Sequence, residues 1–149
     1  DYRDLYERLE KELNEILKLD QKIAQVFESQ TIDTANFAKK LMGQIVFLYF
    51  LQKKGWLGVG KDENRNFKQW GSGPRNFLQR LFNKEFCDYQ NFFNDVLEPL
   101  FYEALATERP NDIFSQYNCK IPFLSGGLFE PINDYNWEET DILIDNDII

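Results

Sequence analysis

The sequence predicts a mainly α protein, a multi-helix domain around a buried central helix at about 34–54, with room for a small β element near 121–144. Three observations carry that expectation. Leu5, Leu9, Leu13, Ile16, Ile23 and Phe27 recur at spacings of three, four or seven, which draws one apolar stripe down a helix. "IVFLYFL", Ile45 to Leu51, is apolar for almost two helical turns and therefore apolar on every side. Glycine and proline then punctuate the chain at Gly55, Gly58, Gly71, Pro74, Pro99 and Pro110.

Taken in order, "YRDLYERLEKELNEILKLDQKIAQVFESQ" is expected to form one amphipathic helix with its charges opposite the stripe. The central helix opens at "DTANF", where Asp33 or Thr34 can accept from the free N–H groups of a first turn. It stops at Gly55, a residue suited to left-handed termination. Lys39-Lys40 and Lys53-Lys54 mark where this helix emerges from surrounding helices, and the second pair suits the negative end of the helix dipole. "GVGKDENRNFKQWGSGP" reads as an exposed loop, and Pro74 suits the first turn of a short helix over "PRNFLQRLF". Asp88 is expected to cap a helix over "YQNFFNDVLEPLFYEALAT". There Pro99, lacking an N–H, should force a kink or a fresh start. "ERPNDIFSQYN" is a loop; "IPFL" and "LFEPI" look extended, with "DILI" a candidate strand partner.

With 149 residues the chain suits a single domain long enough for a substantial core. It begins on Asp1 and its one methionine is Met42, so we expect a piece of a larger protein, with an acidic junction at about 107–149. The longest apolar run has seven residues where a membrane span needs about 20. No signal peptide is visible at the start, and a cytoplasmic location is expected. Cys87 and Cys119 stand apart with no metal-ligand spacing. Histidine is absent, which removes the usual general base, the usual zinc ligand and Ser-His or Cys-His nucleophiles from this segment. The overall charge of −8 is uneven: Lys39 to Lys84 carries a net +8, whereas residues 91–149 carry −10.

"KIPFLSGGLFEP" invites comparison with a phosphate loop. A Walker loop needs Lys and Ser or Thr after its last glycine, then a helix; here Leu128-Phe129-Glu130-Pro131 follows. Ser125, Gly126 and Gly127 are better read as a tight turn between apolar segments. The carboxylates of "WEETDILIDND" fit no calcium loop and are expected to form a solvated acidic tail. The basic middle suits contact with nucleic-acid phosphates, with Trp56, Phe67, Trp70 and Phe77 as candidates for stacking on bases. Lys53, Lys54, Arg75 and Arg80 are the candidate phosphate contacts. No catalytic, cofactor-binding or metal-binding residue is expected in this segment.

Three stretches together carry a resemblance: "FAKKLMGQIVFLYFLQKKGWLGV" (Phe37–Val59), "FFNDVLEPLFYEAL" (Phe92–Leu105) and "IPFLSGGLFEP" (Ile121–Pro131). In this order they resemble the helical region of large bacterial type IIG restriction–modification enzymes and related phage-defence adenine methyltransferases. In that family the region precedes the methyltransferase core, often behind a nuclease domain. The last motif departs from the family form, with Ser125 where Asn usually precedes Gly-Gly. The family's S-adenosylmethionine loop and Asn-Pro-Pro-Tyr or Asn-Pro-Pro-Phe motif do not occur here. The resemblance thus implies a non-catalytic region that positions domains or braces the DNA backbone. Its parent would be an S-adenosylmethionine-dependent DNA adenine-N6 methyltransferase, with endonuclease activity and Mg2+ as open points. The implied partners are double-stranded DNA, through the parent, and the adjacent methyltransferase and nuclease domains. A helical protein–protein adaptor without an enzymatic parent is the competing expectation.

Overall fold

A computed structural model describes residues 2–149. The fold is mainly helical, as expected, with a two-stranded antiparallel sheet. The first expected helix is two. α1 (Tyr2–Leu19) ends at Asp20, whose carboxylate accepts from the N–H groups of Lys22 and Ile23 and so starts α2 (Gln21–Ser29) afresh. A short acidic side chain offers the backbone this alternative to continuing a helix. Leu9 and Leu13 of α1 and Ile23 and Phe27 of α2 are buried, so the stripe survives the break.

α3 (Thr34–Lys53) is the central helix, capped by Asp33, whose Oδ1 accepts from Asn36 N at 2.7 Å. Phe37, Leu41, Leu48 and Leu51 are buried, each contributing about 1.5–3 kcal/mol by leaving water. One expectation is corrected. Val46, Tyr49 and Phe50 are 47–54% exposed, so the apolar run is not enclosed on every side. The short helix after Pro74 begins three residues late, as α4 (Phe77–Phe82).

Helical backbone then runs through Phe92 to Leu105, but largely with wide π-type turns, Phe93–Leu97 and Leu100–Leu105. Pro99 keeps helical angles, φ −59° and ψ −38°, and stands at the start of the second π segment. The i→i+5 pattern is seen on both sides of Pro99, where Glu98 N donates to Phe93 O and Ala106 N to Phe101 O. Asp88 does not cap this helix. Its carboxylate accepts from the adjacent Tyr89 N, and Asn91 Oδ1 accepts from Asn94 N at 2.8 Å instead.

The β element lies just before the expected span, in β1 (Ile113–Phe114) and β2 (Cys119–Lys120). Ile113 pairs with Lys120 and Phe114 with Cys119. Left-handed Asn118, φ +50°, closes the turn between them. Lys120 also exchanges backbone bonds with Val59, tying the sheet to the loop after α3. "DILI" forms no strand; Ile142 and Ile144 alternate inward into the core. The acidic end keeps its carboxylates in solvent as expected, but its apolar residues pack inward, so it is a strap rather than a free tail. Asn133 holds it to the carbonyls of Gln30 and Thr31, Asn91 to Ile144 O, Asn146 to Phe92 N, and Glu12 to Asp145 N. Among the described residues no helix is long and apolar enough to cross a membrane.

Candidate nucleic-acid interface

The cationic end of α3 is shaped by its terminator. Gly55 adopts φ +73°; its N–H donates to Gln52 O at 2.9 Å and Trp56 N–H donates to Leu51 O at 3.1 Å. These nested bonds satisfy the last carbonyls and turn the chain sharply, leaving Lys53 and Lys54 exposed at the negative pole of the helix. Lys54 Nζ lies 5.4 Å from the centre of the Phe50 ring.

The loop returns to the same point. The N–H groups of Gly71 and Gly73 both donate to Gly55 O, at 3.1 and 2.9 Å. A side chain on Gly73 would drive its first carbon into Leu57 O, so backbone approaches backbone where only glycine fits. Arg75 Nη1 donates to Gly71 O and Gly73 O at 3.0 and 3.2 Å. Three of the four candidate cations, Lys53, Lys54 and Arg75, thus flank the Gly55 terminator. Arg80 lies on α4, where its Nε contacts Glu85 Oε1 at 2.9 Å and its guanidinium covers Phe86.

Of the candidate stacking residues, Trp56 and Trp70 are each 40% exposed. Phe67 is half-buried beneath Lys61, 5.1 Å from its ring centre. Phe77 corrects the expectation: it is fully buried, 5.0 Å from the Phe86 ring, and belongs to the core.

Gly126 and Gly127 bend the chain at φ +115° and +87° after exposed Ser125, and a turn follows in which Glu130 N donates to Gly127 O at 3.3 Å. It is pinned to α3, because Gln44 Nε2 donates to Leu128 O at 2.9 Å and Lys40 Nζ to Gly127 O at 3.4 Å. Partial burial holds the Lys40 ammonium below its ordinary pKa, against the opposing pull of Glu130 and Asp134. Phe129 anchors the turn beneath, packed on Phe47 and Phe101.

Sequence reasoning missed Glu98. It is fully buried between the π segments; its Oε2 accepts from Tyr135 Oη, and its Oε1 has no hydrogen-bond partner. Burial raises its carboxyl well above the ordinary value, and the charge of Asp141 adds to this while the Tyr135 bond opposes it. The signal was present: Glu98 precedes Phe101 and Leu105 by three and seven, on the apolar face. Among the described residues no group of three or more His, Cys, Asp or Glu side chains gathers as a metal site.

Fold and surface together define a mainly helical chain with a cationic helix end and a pinned glycine segment. The chain is 34% identical, over an alignment of 128 positions that covers 79% of it, to a protein of Methanocaldococcus jannaschii named "Putative type II restriction enzyme and methyltransferase". That likeness supports the restriction–modification class to which the three sequence stretches point. The chain spans 9% of the length of this relative. No family model and no solved structure matches it.

Proposed function

We propose that this chain is a non-catalytic helical region of a type IIG-like, adenine-specific DNA methyltransferase, positioning domains and bracing the DNA backbone. The parent uses S-adenosylmethionine, works in the cytoplasm and extrudes its target base; an endonuclease domain with Mg2+ fits the same reading. The similarity to a restriction enzyme and methyltransferase carries the proposal. Lys53 and Lys54 contact phosphates first, since both are exposed at the helix end. Arg75 contributes less because the loop base occupies its Nη1, and Arg80 least because Glu85 pairs with it. The Ser125-Gly126-Gly127 segment and the exposed stripe of Val46 and Phe50 suit the junction with the methyltransferase domain. That stripe equally suits an adaptor without an enzymatic parent. The native reading frame decides between them: Asn-Pro-Pro-Tyr or Asn-Pro-Pro-Phe beyond Ile149 supports the methyltransferase, and a frame lacking it favours the adaptor.

Direct contact is tested by titrating duplex DNA at several salt concentrations. Affinity should fall steeply with salt, and Lys53→Ala with Lys54→Ala should weaken binding to all sequences alike. The log–log salt slope should shrink by about 0.9 for each phosphate no longer neutralised. Absence of duplex binding at low salt would remove the backbone-bracing role.

A further inference from the structure

Between the base of the 58–74 loop and β2 lies an open cleft of about 540 Å³ that none of these roles uses. Its walls include Trp56, Trp70 and Phe123, which are 40%, 40% and 36% exposed. Half of the aromatic side chains of this chain are buried, and three of the exposed rings gather on one concave surface, a place suited to a ligand. We propose that this cleft binds an unpaired nucleotide of a single strand, its base against the aromatic walls and its phosphate toward Lys120. This assignment rests on the proposed function only for the class of polymer.

The walls are fixed before any ligand arrives. Trp56 follows Gly55 and Trp70 precedes Gly71, and those two glycines are hydrogen-bonded to each other. Pro122 and Phe123 follow Ile121, whose carbonyl accepts from Arg109 Nη2 at 2.7 Å. Arg109 is itself held by the Ala104 and Thr107 carbonyls. Such a site loses little freedom on binding.

The chemistry of the rim selects the occupant. Lys120 Nζ already sits 4.6 Å from the centre of the Trp70 ring, and the Arg109 side chain lines the same cleft. The cation that an aromatic wall attracts is therefore supplied by the chain, and Glu108 and Asp112 balance Arg109 and Lys120, so the rim offers an added charge no net attraction. A neutral planar base needs none, and its phosphate is placed on the Lys120 side, away from the two carboxylates. Glu108 and Asp112 supply acceptors for exocyclic amino groups, and Asn111 supplies both a donor and acceptors. A paired base would first have to leave its stack, so the cleft should favour single strands over duplex.

The test is tryptophan fluorescence of the 149-residue chain titrated with short single-stranded DNA, single-stranded RNA and the matching duplex. Single strands should quench the signal and bind more tightly than duplex; the DNA and RNA arms show which sugar is preferred. Trp56→Ala and Trp70→Ala should each weaken single-strand binding by about 5- to 150-fold, the reduction expected for one stacked base. Phe123→Ala provides a wall variant outside the glycine-bonded base, should either tryptophan change disturb folding. Unaltered single-strand affinity in folded variants, quenching by a lysine-rich peptide instead, or no single-strand binding would each overturn the cleft. The two readings fail separately. If Lys53→Ala with Lys54→Ala abolishes duplex binding while Trp-dependent single-strand binding persists, the cleft stands without help from the helix end. If duplex binding persists and the Trp variants change nothing, the cleft alone falls.

Discussion

Glu98 holds its proton to higher pH when folded than when unfolded. An unfolded glutamate ionises near 4.5, whereas the buried one is raised well above that value by desolvation. The stability tied to its protonated form is complete below the unfolded value and drains away as pH rises through the folded one. The slope approaches about 1.4 kcal/mol per pH unit within that window. Glu98→Gln keeps the shape without the ionisation. It should flatten this part of the pH–stability curve and exceed the native chain at the alkaline end, as read by urea unfolding across pH. A variant with an unchanged slope would show that Glu98 does not titrate there. Residue-scale features were legible where the local chain decides them: Gly55 as terminator and Asp33 as cap. Trp56 and Phe77 look alike in sequence, yet one lies open and the other buried, because the returning loop and α4 settle which ring is covered.

At the scale of elements, the end of α2 shows how far terminators can depart from their preferred residues. Thr31 occupies the same position relative to α2 that Gly55 occupies relative to α3, and it adopts φ +56°. Ile32 N–H donates to Phe27 O at 2.8 Å and Thr31 N–H to Glu28 O at 3.2 Å, the same nested pair. A β-branched residue there carries about 1–2 kcal/mol of left-handed strain. Thr31→Gly should therefore stabilise the fold by up to about that amount in thermal or denaturant unfolding, and destabilisation would argue against this termination. Helix periodicity made α1 to α3 readable. It hid the break at Asp20, because the apolar stripe continues across it. The π turns on either side of Pro99 were also hidden, since in so apolar a segment the residue spacing does not separate an i→i+5 turn from an i→i+4 one. The strap went unread for a related reason. Ile142 and Ile144 lie among carboxylates, and only their burial against distant helices distinguishes them from a solvated tail.

Over the whole molecule, positive and negative charge share the surface grooves, and one of these borders α3. Arg75 and Gln79 line it with Asn146 and Asp147 of the strap, and Tyr49 of α3 borders it. Phosphate approaching Arg75 therefore meets a carboxylate. Lys53 and Lys54 form no ion pair among the described residues, which places them ahead of Arg75 as phosphate contacts. The ion pairs that do form, such as Arg3 with Glu7 and Lys84 with Asp88, join exposed side chains and contribute little. Cohesion rests instead on the apolar core that runs from Leu9 to Ile144.

The strap also sets an order in time. α1, α2 and α3 are neighbours in sequence and can associate through short loops, but Asn133 must find carbonyls more than a hundred residues earlier and Asp145 must reach Glu12. Contacts across such separations form late, after loop-closure entropy has been met by a nearly finished core. Trp137 stacks 5.3 Å from Tyr102 only once the strap is down. In stopped-flow refolding its fluorescence should therefore lag the helical circular-dichroism signal, in a Trp56→Phe, Trp70→Phe background that isolates it. Coincident phases would mean that strap and helices form one cooperative unit. A lag would make the strap the last segment to fold and the first to let go, so that the chain could bare Glu98 and its tyrosines while its helices stay intact.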